Sequence, residues 1–172
     1  LERCYLPPDL SDRIRNVVRA YAMEKKFTFF DMRDHTGYLR NMFVRSTSLN
    51  HWMLIMVFAY DEPESRIPML QHIAEAFPEI TSFMYVINEK RNDIISDMPL
   101  HLYKGDPFMI ENLDGVQFKI GPVSFFQTNT HQVLELYRLV RDFAGIQTSD
   151  IVYDLYCGTG TIGCFVARQA AR

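Results

Sequence analysis

The residues best suited to chemistry lie in 151–163, which read Ile-Val-Tyr-Asp-Leu-Tyr-Cys-Gly-Thr-Gly-Thr-Ile-Gly. An apolar, β-prone run over 151–156 meets glycines at 158, 160 and 163, and a helical pattern follows over 161–171. Strand, tight turn and helix make the junction that holds nucleotide-like cofactors in doubly wound folds. Glycine lets a ligand approach the main chain, and a helix start offers free N–H groups. Gly158-Thr159-Gly160-Thr161-Ile162-Gly163 satisfies G-x-G-x-x-G, although a purely structural turn would carry the same glycines. Asp154 separates two cofactor classes. An ionised carboxylate beside the turn repels a pyrophosphate but suits the ammonium and sulfonium of S-adenosylmethionine. The pattern therefore favours S-adenosylmethionine over NAD, with a nicotinamide-dependent oxidoreductase as the alternative. The acid that would hold a ribose in either case is expected beyond Arg172.

Composition narrows the partners. The net charge of −3 argues against nucleic-acid binding by bulk electrostatics, so such a role would rest on local patches. No apolar run reaches the ~20 residues of a membrane span, and no signal peptide precedes the first helix. Cys4, Cys157 and Cys164 are an odd, scattered set. They suggest a reducing, cytoplasmic compartment and free, partly buried thiols. They lack the spacing of a metal site.

The elements that must position the glycine turn can be read in order. A helix is expected from Asp9 or Ser11, either of which can cap it, to about Lys25, with Ile14, Val17, Val18, Tyr21 and Ala22 on its apolar face. Its other face carries Arg13, Arg15 and Arg19. Strand-like runs follow at 27–32, 38–45 and 51–60, the second placing Arg40 and Arg45 outside its apolar phase. Together they predict an antiparallel meander. A second helix starts near Pro63 and ends at Pro78, with Pro68 able to delay its start. Strands are expected at 81–88, 100–104, 108–112 and 116–120, with a turn at Asp114-Gly115. Gly121-Pro122 marks a boundary. A helix over 130–144, ended by Gly145, then leads to the glycine turn. The fold class predicted is an α+β central domain with a mainly antiparallel sheet (1–121), followed by the beginning of an α/β Rossmann-like methyltransferase domain (122–172).

Two signatures now stand in order. Residues 154–160, Asp-Leu-Tyr-Cys-Gly-Thr-Gly, resemble motif I of the RNA (uracil-5-)-methyltransferases, the group that includes the 23S ribosomal RNA and transfer RNA enzymes. Ser124-Phe125-Phe126-Gln127-Thr128-Asn129 resembles their second signature. Residues 88–95 and Lys104-Gly105 also fit the family's central domain. The resemblance implies a cofactor site at Gln127, Asp154, Tyr156, Cys157, Gly158 and Gly160. It implies that Phe125 and Gln127 meet the target base, with one of Phe125 and Phe126 in the core because strand neighbours face opposite ways. It also implies a cysteine that adds to carbon 6 of uracil and a carboxylate base that removes the proton from carbon 5. Both are expected beyond Arg172, so no catalytic residue is assigned within the chain, Cys164 is expected to be packed, and the chain by itself is expected to be inactive. An iron–sulfur cluster, where a member has one, would precede Leu1. The expected substrate is RNA, with 23S ribosomal RNA favoured over transfer RNA. A non-catalytic RNA-binding or scaffold module is the other reading, resting on Arg13, Arg15, Arg19, Lys25, Lys26, Lys90 and Arg91.

Overall fold

A computed structural model describes residues 3–170, which divide into two compact units. The first comprises Leu1–Ser46 and His51–Pro107, and the second Thr47–Asn50 and Phe108–Arg172. The division falls at 107/108 rather than at the 121/122 expected from Gly121-Pro122.

The first unit is a four-stranded sheet in the order β1-β2-β3-β4, formed by Leu39–Ser46, Trp52–Phe58, Ile80–Ile87 and His101–Gly105. Two helices, α1 (Asp9–Glu24) and α2 (Pro63–Ala76), accompany it. β1 and β4 run antiparallel to their neighbours, as expected of a mainly antiparallel sheet. β2 and β3 are parallel, because α2 carries the chain back to the starting edge between them. Every residue of β2 is buried, which matches its unbroken apolar sequence. Ile14, Val18 and Ala22 of α1 and Met69, Leu70 and Ile73 of α2 join Leu54, Met56 and Phe83 of the sheet in one core.

Four local expectations are corrected here. α1 begins after Pro8 without a side-chain cap, so neither Asp9 nor Ser11 serves as one. Pro63 occupies the first turn of α2, and Pro68 lies inside the helix without delaying it. Residues 27–32 form no strand. Asp31 accepts from Arg33 N and Asp34 N and curls the chain, leaving only the bridges Phe29↔Leu39 and Asp31↔Thr36. Arg40 is not an outward residue. The register shifts between Leu39 and Asn41, which inserts Arg40 as a bulge, and its side chain is 1% exposed.

The second unit contains the hairpin β5–β6 (Met109–Leu113 and Val116–Ile120), then α3 (Thr130–Ala144) and α4 (Thr161–Val166), with a short 3-10 turn at Ala167–Gln169. Asp114 and Gly115 both have positive φ (52° and 84°), the backbone of a two-residue hairpin turn. Asn129 caps α3 by accepting from Gln132 N, and Gly145 ends it in the left-handed conformation. Leu113, Val133, Tyr137, Phe165 and Val166 form the core, with Phe118 and Phe126 against it. The expected strand over 151–156 is absent, and Ile151, Tyr153 and Leu155 are exposed. A strand exists only by pairing, and no described strand pairs with this run. The helix expected to reach 171 ends at Val166, and residue 171 lies outside the described residues.

Candidate cofactor and base site

The site is built around the start of α4. Gly160 is its N-cap at φ 72°, in the left-handed region, with Gly158 likewise left-handed at 57°. Gly160 N donates to the Cys157 carbonyl and Cys164 N to the Gly160 carbonyl, which closes the turn and starts the helix. Asp154 reaches over this turn. Its Oδ2 accepts from Gly163 N at 2.9 Å, so the carboxylate satisfies one of the free N–H groups at the positive end of α4. Gly163 suits this approach, because a Cβ there would stand 3.0 Å from Asp154 Oδ2 and push the carboxylate back by a few tenths of an ångström. Tyr156, a non-glycine residue at φ 61°, is fully exposed. Such a conformation in a bulky residue is uncommon, and such strain concentrates at binding sites.

The earlier signature meets the turn directly. Thr159 Oγ1 donates to the Phe125 carbonyl at 3.2 Å. Phe126 packs against Phe118, ring centroids 5.9 Å apart, while Phe125 is 73% exposed. The expected split between one core and one outward phenylalanine is therefore what the structure has. Gln127 is exposed beside them. Below the turn, Tyr137 of α3 and Thr161 share a hydroxyl hydrogen bond of 2.8 Å that ties α3 to the start of α4. Phe125, Gln127, Asp154, Tyr156, Cys157, Gly158 and Gly160 thus lie in one unit, on two segments held together by the Thr159 bond.

Two of the cysteines are not packed as expected. All three are free thiols; Cys4 is half-buried as expected, whereas Cys157 and Cys164 are exposed. Cys157 Sγ lies 3.9 Å from the Gly158 carbonyl, and no described thiol is hydrogen-bonded to a base. Among the described residues no group of three or more His, Cys, Asp or Glu could hold a metal ion, and no helix is long and apolar enough to cross a membrane.

Two buried side chains escaped the sequence reading. Glu111 of β5 is fully buried, and its carboxylate accepts from Ser48 N, Ser48 Oγ and Thr130 Oγ1. Burial pushes its pKa up, but hydrogen bonds from Ser48, Asn112 and Thr130 outweigh it and hold the carboxyl below its ordinary value. In the first unit, Arg40 donates to the carbonyls of Asn88, Lys90 and Asn92 and to Asp93 Oδ1. The resemblance of 88–95 was the only signal near it. The basic points are largely neutralised: Arg13 pairs with Glu79, Arg15 with Asp12, Lys25 with Glu24 and Lys90 with Asp97.

The fold is that of a solved structure, the Pyrococcus abyssi tRNA (uracil-54, C5)-methyltransferase in complex with S-adenosyl-L-homocysteine. The two match with a TM-score of 0.75 at 24% identity, over 98% of this chain and 40% of that one. No family model matches the chain. Sequence relatives cover almost all of it. An uncharacterized RNA methyltransferase of Bacteroides thetaiotaomicron is 47% identical over 99% of this chain. Another, from Porphyromonas gingivalis, is 45% identical over 100% of this chain. The chain spans 38% and 37% of those relatives. The chain is similar to a segment of these RNA methyltransferases, and the resemblance carried by the two signatures is borne out.

Proposed function

We propose that the chain is the central part of an S-adenosylmethionine-dependent RNA methyltransferase that acts in the cytoplasm on carbon 5 of a uridine. In this reading the first compact unit, up to Pro107, belongs to its central domain, and the second, from Phe108, carries the beginning of its cofactor domain. The observation that carries this reading is the Thr159–Phe125 hydrogen bond, which holds the acid-capped glycine turn against the segment bearing Phe125 and Gln127.

The residues suit the cofactor. Asp154 uses Oδ2 on Gly163 N, and its negative charge stands beside a turn whose Tyr156, Cys157 and Gly158 are exposed. A Cβ at Gly158 or Gly160 would meet nothing within 4 Å, so the main chain is open to a ligand there. These residues would hold S-adenosylmethionine, which when bound supplies an electrophilic methyl group. Phe125 offers an exposed ring face on which an unstacked base can lie. The Gln127 amide can donate and accept together along a uracil edge. The chain alone is inactive in this reading, since the nucleophilic cysteine and the carboxylate base are expected beyond Arg172. Ribosomal RNA is the favoured substrate. Transfer RNA is the second reading, favoured by the substrate of the solved structure of like fold.

The test is methyl transfer by the full-length protein from labelled S-adenosylmethionine to 23S ribosomal and transfer RNA transcripts, digested to nucleosides. The expected product is 5-methyluridine. Methylation of only a protein or a small molecule would sink the assignment. Asp154→Asn keeps an oxygen for Gly163 N but removes the charge, so S-adenosylhomocysteine affinity by calorimetry is expected to fall about tenfold while the helix start stays intact.

A further inference from the structure

We propose that the first unit carries a second RNA contact, a groove between α1 and the start of β1 that takes one unstacked nucleotide, its phosphate on Arg19 and its base on Phe29. This rests on the proposed RNA substrate and adds a subsite that the cofactor turn does not provide.

The groove encloses about 320 Å³, within the range of small-ligand sites. Val18, Leu39, Met42 and Met56 give it an apolar floor, and Asn41 adds an amide. Its charged lining is all guanidinium, from Arg15, Arg19 and Arg40, with no carboxylate among the lining residues. The three arginines are not equivalent. Arg40 is fixed on the carbonyls of 88–92 and on Asp93, and Arg15 is paired with Asp12. Arg19 has no hydrogen-bond or ion-pair partner among the described residues and also borders a second hollow with Asn16, Ala20 and Met23. Arg15 Nε and Arg40 Nε are buried without an acceptor. Both atoms are out of reach of a ligand in the groove, so the capacity of this wall for an anion rests on the exposed guanidinium of Arg19.

The aromatic component decides the class of ligand. Phe29 sits on the groove and is 56% exposed, whereas Phe58, Phe77 and Phe83 of the same unit are buried in its core. The curl at Asp31 and the bridge to Leu39 hold Phe29 there. An apolar floor, an exposed ring and a free guanidinium answer, in turn, to a base, its π-face and its phosphate. Inorganic phosphate alone would leave the ring unused, and an apolar peptide would leave Arg19 unpaired.

The experiment is fluorescence anisotropy of a labelled single-stranded RNA dodecamer with the 172-residue chain, titrated at several salt concentrations. Arg19→Ala is expected to weaken binding about tenfold and to lower the salt slope by about 0.7, the effect of one phosphate contact on a single strand. Phe29→Ala is expected to weaken it about tenfold with the slope unchanged, since stacking is salt-insensitive. Phe29→Tyr and Arg19→Lys, which keep a ring and a charge, retain most of the affinity and show that folding is not the cause. S-adenosylhomocysteine affinity stays at the wild-type value in all four variants. RNA binding by the wild-type chain that neither alanine variant weakens would overturn the groove while leaving the methyltransferase reading intact, and so would no binding at all. Salt-sensitive binding indifferent to Phe29 would reduce the groove to a diffuse charge effect and also overturn it. Groove-dependent RNA binding by a protein that never methylates RNA would leave the groove and remove the proposed function.

Discussion

A carboxylate removed from water must find donors, and Glu111 finds four: Ser48 N, Ser48 Oγ, Thr130 Oγ1 and Asn112 N. Through Thr130 it fixes the first residue of α3, and α3 in turn holds Thr161 through Tyr137. The second signature and the glycine turn therefore depend on a charge that neither contains. Because the folded pKa lies below the ordinary value of 4.5, the stabilisation is complete above that value and is lost as pH falls through the folded pKa. The protection factors of α3 amides, with the intrinsic exchange rate divided out, are expected to be flat from neutrality to about pH 5 and to fall below it. In Glu111→Gln the –NH₂ cannot accept, so either Asn112 N or Ser48 N loses its partner, while the hydroxyl on that side can turn to accept from the amide. A loss of about 2–3 kcal/mol in α3 protection at pH 7 is expected, together with a weaker pH dependence. Unchanged protection in the variant would show that the charge is not what holds α3.

Arg40 acts at the scale of elements. The bulge in β1 turns it inward, and one guanidinium gathers three carbonyls and Asp93 from the connection between β3 and β4, while stacking 4.0 Å from the Phe30 ring centroid. Asn88, fully buried, completes the knot by donating to the Asn92 carbonyl and accepting from Lys90 N. A lysine has a single point of charge where this geometry asks for a planar fork. Arg40→Lys is expected to destabilise the first unit by about 2 kcal/mol and Arg40→Ala by about 3 kcal/mol, measured by urea denaturation followed through the buried Trp52. Equal midpoints for wild type and Arg40→Ala would remove Arg40 as the anchor. This residue also marks the limit of what could be read from sequence. Alternation predicts an outward Arg40, and a single inserted residue reverses that, with no local signal beforehand. Glu111 was equally silent, because Ser48 is remote in sequence. By contrast α1 and α3 were legible from their periodicity, the end of α3 from Gly145 and the hairpin from Asp114-Gly115, since all three signals are local chemistry. The glycine turn at the start of α4 was legible for the same reason. Its strand was not formed, because a strand is a property of its neighbours.

At the scale of the whole molecule, residues 151–156 have the composition of a buried strand and the exposure of a loop. Ile151, Tyr153 and Leu155 face solvent, and their backbone joins no described sheet. Exposed apolar residues with unpaired N–H and C=O groups form a template for association with another chain. The relatives are longer than this chain, which spans 38% of the first, so further sequence is available in such proteins to pair with the run. Sedimentation velocity of the 172-residue chain is expected to show mass rising with concentration over about 10–100 µM, the range in which exposed strand edges associate. The full-length protein is expected to keep one mass over that range. Leu155→Lys with Tyr153→Lys should restore a single species to the short chain, since charge on an edge blocks pairing. Neither position belongs to the cofactor set, and Asp154 between them keeps its bond to Gly163 N. Association that survives both lysines would have to come from elsewhere, with the exposed Leu136, Leu139 and Phe143 of α3 as the next surface to charge. A short chain that stays monomeric throughout would show that the run is shielded in solution, and the open cofactor turn would then need revision as well.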